Sequence, residues 1–169
     1  TINYTYLWSN AKTTSAITGL SAGSYSCTVT DANACTVTIS TTVNQPATLT
    51  ASTSTTGVLC NGGTTGTATA TPAGGTTNYT YLWNNAQTNA TATGLSAGSY
   101  TCTVTDAHGC NVTVSATVTQ PAALTATTST TGVLCNGGST GTATATPAGG
   151  TTAYTYLWNN AQTNATATG

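Results

Sequence analysis

The chain has no phenylalanine, no methionine and almost no charge. Lys12, Asp31 and Asp106 are its only formally charged side chains, arginine is absent, and His108 is the single histidine. Nucleic-acid binding is excluded, because neutralising phosphates takes several Lys or Arg per site. A polybasic membrane contact is excluded on the same ground. No stretch of 18 apolar residues occurs, so no membrane-spanning helix and no membrane insertion are expected. Catalysis has little to work with: no second carboxylate stands near Asp106 in sequence, and Asn33 replaces His108 in the earlier copy of its turn. Three cysteines and one distant histidine lack the spacing of a zinc site. Calcium needs several oxygen ligands. No enzyme, metal or cofactor is therefore expected.

What is present is periodic. The stretch Tyr79-Thr80-Tyr81-Leu82-Trp83 occurs three times, preceded by Asn3, Asn78 and Ala153, its copies ending at Trp8, Trp83 and Trp158, 75 residues apart. Such a period marks a tandem array of one fold. Gln45-Pro46 and Gln120-Pro121 punctuate it, since proline donates no ladder hydrogen bond and stiffens a junction. The expected organisation is residues 1–45 as the back part of a repeat, 46–120 as a complete repeat and 121–169 as the front part of another, a window on a longer array. Residues 46–94 and 121–169 differ only at Thr48/Ala123, Ser52/Thr127, Thr64/Ser139 and Asn78/Ala153.

No segment carries apolar residues at helical spacing, whereas alternation at period two recurs. Leu49–Thr56 reads as an edge strand. Thr67–Thr71 alternates small Ala inward and Thr outward, leaving room for Trp83. Tyr79, Tyr81 and Trp83 share one face, and Thr91–Thr93 is a short strand. In Ser99–Thr105, Tyr100, Cys102 and Val104 share a face. Asp106-Ala107-His108-Gly109 is a hairpin turn before Asn111–Thr119. Pro72-Ala73-Gly74-Gly75 is expected to break its strand. The reading is all-β, a series of antiparallel β-sandwiches with turn signals every 8–12 residues. Its expected core is Tyr79, Tyr81, Trp83, Tyr100 and Val104, because no other side chains have the bulk to fill it.

Cys60-Asn61-Gly62-Gly63, then Tyr79–Trp83, then Gly94-Leu95-Ser96-Ala97-Gly98-Ser99-Tyr100, then Val104-Thr105-Asp106 and Gly109-Cys110 together resemble the SprB-type repeat. That family occurs in giant surface adhesins of gliding Bacteroidota. More distantly, the Tyr-x-Trp and Gly-x-Tyr elements are similar to PKD and fibronectin type III domains. The resemblance implies tandem immunoglobulin-like sandwiches, export by type IX secretion and a place on the bacterial cell surface. Cys102 stands where the family has an aliphatic residue, and Ala34 where Gly is expected before Cys35.

In an exported protein a disulfide is the default for paired cysteines. Cys60–Cys110 uses the two cysteines of the family pattern; Cys60–Cys102 is the alternative, resembling the inter-sheet bridge of immunoglobulin domains. Cys110–Cys135 would cross a junction and is disfavoured by a strand-and-linker separation of about 30 Å. The expected function is structural and adhesive: a repeat segment of a long extracellular fibre, acting as spacer or attachment array. Its partners are neighbouring repeats of the same chain, then other copies of the fibre or surface glycans. The alternatives are a subunit of a laterally packed or strand-exchanging filament or matrix, and a glycan-binding module.

Overall fold

The computed structural model describes residues 3–169. It is all-β, with twelve strands and no helix among the described residues. The chain divides into two compact units, Thr1–Ala47 and Thr48–Gly169.

The first unit is one antiparallel sheet. Its strands are β1 (Thr5–Trp8), β2 (Gly23–Thr30) and β3 (Thr36–Val43), in the order β1-β2-β3. Trp8 lies opposite Cys27, and Cys27 opposite Ile39. Cys27 is buried, while Val37 and Ile39 are exposed. Outward threonines satisfy each other across the strands, as in the 3.0 Å contact between the Thr28 and Thr38 hydroxyls.

The second unit begins with a two-sheet repeat. One sheet holds β4 (Thr50–Thr56), β5 (Gly66–Ala73) and β7 (Thr91–Leu95), in the order β4-β5-β7. The other holds β6 (Thr80–Trp83), β8 (Gly98–Thr105) and β9 (Asn111–Val118), in the order β6-β8-β9. All pairings are antiparallel. The alternating pattern of β5 dictates its orientation: Ala68 and Ala70 are buried, while Thr69 bonds its neighbour Thr91 through hydroxyls 2.9 Å apart. β5 runs through Pro72 to Ala73 instead of stopping before it. β7 pairs with β5 only as far as Thr69, so one flank of β5 is open where Pro72 sits.

The core lies between the two sheets. Val58, Ala68, Ala70, Trp83, Ala92, Leu95, Cys102, Val104, Ala116 and Val118 form one buried cluster. Alanines on β5 and β7 make room for the indole opposite, which is the packing consequence of their small side chains. Gly66 is needed at the tightest approach: a Cβ there would lie 2.5 Å from Val118 Cγ1 and 2.8 Å from the Leu95 carbonyl oxygen.

β4 and β9 close the sandwich along one side and run parallel. The Thr53 hydroxyl donates to the Ser115 carbonyl at 2.8 Å, and the Val58 N–H donates to the Thr119 carbonyl at 2.9 Å. After this repeat come β10 (Thr125–Thr131), β11 (Thr142–Ala148) and β12 (Thr166–Thr168), a sheet in the order β10-β11-β12. Its β10–β11 register repeats that of β4–β5.

Candidate functional site: the two ends of the repeat

Because β4 and β9 are parallel, residues 46–120 have a leading end, where β4 and β9 both begin, and a trailing end, where both finish. Each end is built around a loop that the sequence singles out.

At the leading end stands the Asp106–Cys110 turn. Asp106 Oδ1 accepts from the His108 and Cys110 N–H groups, each at 2.9 Å. Oδ2 reaches across to accept from the Thr76 N–H at 2.9 Å. The carboxylate thus ties the β8–β9 turn to the loop before β6. That Thr76 N–H is the main reason the Asp106 carboxyl is held below its ordinary pKa; burial opposes it, and the Cys110 and His108 N–H groups and the His108 charge add to the lowering. Gly75 is required beside it. It has φ +62°, and a Cβ would sit 2.8 Å from Asp106 Oδ2. His108 Nδ1 lies 2.9 Å from the Thr76 hydroxyl. In the first unit, Asp31 Oδ1 makes the matching bonds to the Asn33 and Cys35 N–H groups. There Ala34 adopts φ 65° at the position matching Gly109, a conformation that costs an L-residue about 1–2 kcal/mol.

At the trailing end stands Cys60–Gly63, a tight turn closed by the Gly63 N–H donating to the Cys60 carbonyl at 3.0 Å. Gly62, at φ +74°, supplies the left-handed residue of this turn. The loop leans on the end of β9 and on the junction beyond. Asn61 Nδ2 donates to the Pro121 carbonyl at 3.0 Å, and the Gly62 N–H donates to Gln120 Oε1 at 2.9 Å.

In this structure neither candidate cysteine pair comes together. Cys60 lies beside Thr119–Pro121, whereas Cys110 immediately precedes Asn111. The eight residues of β9 between them span about 26 Å, and a disulfide needs Cα atoms within about 7 Å. Cys102 is no nearer a partner for Cys60. It is sealed in the core opposite Val114 and Trp83, five residues along β9 from Thr119. Burial pushes its thiol pKa up, so it is a small packed hydrophobe rather than a nucleophile. Cys60 and Cys110 are both exposed thiols, one at each end.

Trp83 and Val104 are buried, and Tyr79, Tyr81 and Tyr100 are half-buried against them. Three of these rings have a polar tip hydrogen-bonded to backbone. Trp83 Nε1 donates to the Asn89 carbonyl at 2.9 Å, the Tyr79 hydroxyl to the Gly74 carbonyl, and the Tyr100 hydroxyl to the Ser96 carbonyl at 3.1 Å. In residues 46–120 the aromatic stripe is therefore packed between the sheets. Leu82 is the large apolar side chain that β6 leaves exposed, among outward threonines. Among the described residues no group of three or more His, Cys, Asp or Glu side chains is clustered. The sequence did not point to the grip of Asn61 and Gly62 on Gln120 and Pro121. Its only trace is that Asn-Gly and Gln-Pro recur with the same 75-residue period.

The SprB repeat family model matches residues 52–88 and 127–163. Those two stretches are SprB repeats. The two matches are offset by the same 75 residues as the tryptophans, and each runs from the first strand past the Cys-Asn-Gly-Gly turn to the turn after Trp83 or Trp158. The SprB repeat is a structural repeat found in cell-surface adhesins. Comparison with curated proteins gives no match.

Proposed function

We propose that this chain is a structural segment of an extracellular bacterial surface adhesin, in which SprB repeats act as end-to-end spacers of a fibre with no catalytic role. The reading rests on one observation: the backbone enters residues 46–120 at the leading end and leaves at the trailing end. Units joined in this way add length rather than girth. The low charge and the satisfied threonine faces suit a spacer that meets many surfaces without strong steering. Immunoglobulin-like classification, type IX export, a role in gliding and the repeat limits 1–45, 46–120 and 121–169 belong to the same proposal, supported by the family match. Neighbouring repeats of the same chain are the first partners.

Electron microscopy of arrays of two, four and eight copies of residues 46–120 tests the spacer. The expected contour length rises linearly with copy number; a compact particle of slowly growing diameter refutes it. Protease shaving of intact cells tests the location, since a surface fibre is released and a periplasmic protein is not.

A second reading, lateral packing of fibres, is favoured by Leu82 and by Leu7, its counterpart in the first unit, each exposed within an uncharged threonine face. Sedimentation of the native chain against Leu82→Asp at rising concentration separates the two. Association lost in the variant supports packing, and equal monomeric behaviour rejects it.

A further inference from the structure

Four consecutive residues carry the chain from one repeat to the next, and each is held. Thr119 accepts from the Val58 N–H at 2.9 Å, Gln120 Oε1 from the Gly62 N–H at 2.9 Å, and the Pro121 carbonyl from Asn61 Nδ2 at 3.0 Å. The Ala122 carbonyl then accepts from the Gly150 N–H at 2.8 Å. The first three bonds come from residues 46–120 and the fourth from the bend after β11. No residue between them is slack, and Pro121 fixes its own φ as well. Gln120 and Pro121 belong to no strand, so the Asn61–Gly62 turn is what holds them.

Asn61 carries chemistry that a plain clasp would not. It precedes glycine, which has no side chain to keep its backbone nitrogen away from the asparagine side chain. When the Gly62 nitrogen loses its proton to hydroxide, it can attack Asn61 Cγ. A C–N bond forms, a five-membered imide closes, and the side-chain nitrogen leaves as ammonia. Water then opens the ring to aspartate or isoaspartate, with no change of oxidation state. In the closed clasp both reacting groups are engaged: the Gly62 N–H is bound to Gln120 and the Asn61 amide to Pro121. The product would place a carboxylate oxygen, an acceptor only, against the Pro121 carbonyl, which is also an acceptor. The bond is then lost and replaced by repulsion.

We propose that Asn61 is the clasp of the joint between consecutive repeats, and that deamidation at Asn61–Gly62 is the reaction that releases it. The chain holds its own reference in Asn136–Gly137. That pair sits in the same turn, closed by the Gly138 N–H donating to the Cys135 carbonyl at 2.9 Å with Gly137 at φ +76°. Among the described residues, the Asn136 amide has no side-chain hydrogen bond like that of Asn61.

The test incubates the 169-residue chain at mildly alkaline pH, digests it with chymotrypsin and follows amide-to-acid conversion by mass spectrometry with fragment-ion localisation. The two peptides are distinguishable, because Thr64 and Asn78 are replaced by Ser139 and Ala153. Conversion is expected several-fold slower at Asn61 than at Asn136, and Gln120→Ala should erase the difference. Equal rates in the native chain overturn the protective clasp. The joint itself is read by amide ¹⁵N relaxation at Gln120 and Ala122. Order parameters near about 0.85 in the native chain should fall below about 0.6 in Asn61→Asp, with β9 unchanged. Unchanged values in both Asn61→Asp and Gln120→Ala overturn the joint. Both substituted residues are exposed, and the fluorescence of buried Trp83 reports that the repeat remains folded.

Discussion

Residues 46–94 and 121–169 differ at four positions, yet Trp83 and Trp158 sit in different surroundings. Trp83 is 1% exposed and ends strand β6, whereas Trp158 is half-buried and its Tyr154–Trp158 stretch forms no strand. Val58 is 5% exposed and its counterpart Val133 53%. The local features are the same in both. Each indole donates to an asparagine carbonyl six residues on at 2.9 Å, and each first tyrosine donates to the glycine carbonyl five residues back. What differs is the β8–β9 hairpin, which pairs with β6 and supplies Cys102, Val104, Ala116 and Val118 to the core. The turns around the aromatic stripe are thus local properties of the sequence. Its strand, and the burial of its tryptophan, come from tertiary pairing.

The largest test of this comparison supplies the missing element. Appending a second copy of residues 95–120 after Gly169 should turn Tyr154–Trp158 into a strand and bury Trp158 as fully as Trp83. Hydrogen exchange and the blue shift of tryptophan fluorescence measure it, and an unprotected Tyr156 amide would break the comparison. Next, Trp83→Ala should cost about 3–5 kcal/mol in chemical unfolding, as expected for a buried aromatic. Trp158→Ala should cost clearly less than that, because its indole is only half-buried. Equal losses would mean that the hairpin is not what buries Trp83. Gly66→Ala follows. Its Cβ meets Val118 and the Leu95 carbonyl below 3.0 Å, an overpacking worth about 1–3 kcal/mol. At Gly141 the nearest atoms are 3.2 and 3.3 Å away, and the same change should be milder.

The smallest effect concerns pH. The Asp106 carboxyl is depressed in the folded state by its N–H donors. Its contribution is therefore present above the unfolded carboxylate pKa of about 3.9 and lost as pH falls through the lower folded value. The unfolding midpoint of residues 46–120 should decline below about pH 4, and Asp106→Asn should flatten that decline. Residues 121–169 contain no carboxylate side chain and should show no such limb.

Most strands were legible because alternation at period two is local. Ser99–Thr105 is β8 but for one residue, Asn111–Thr119 is β9 with one residue fewer, and Thr67–Thr71 lies inside β5. The inward parity of Trp83 and Val104 could be read the same way, since only one face of each strand carries bulk. The cysteine pairing could not. Parity tells which face a residue occupies, not which end of a distant strand its loop reaches. That end was decided by the parallel course of β4 beside β9, a contact between residues some 60 positions apart. The Asn61 clasp was hidden for the same reason, because neither asparagine nor proline announces a partner 60 residues away.

The parallel course of β4 and β9 also sets how a repeat would bear load. Tension applied between the two termini of residues 46–120 pulls the start of β4 one way and the finish of β9 the other, so the two strands slide rather than peel. The Thr53 bond to Ser115 and the Val58 bond to Thr119 are then strained together. Contacts loaded in shear must fail as a group, whereas a hairpin opened from its free end unzips one bond at a time. Residues 46–120 therefore resist extension best when pulled from their two termini.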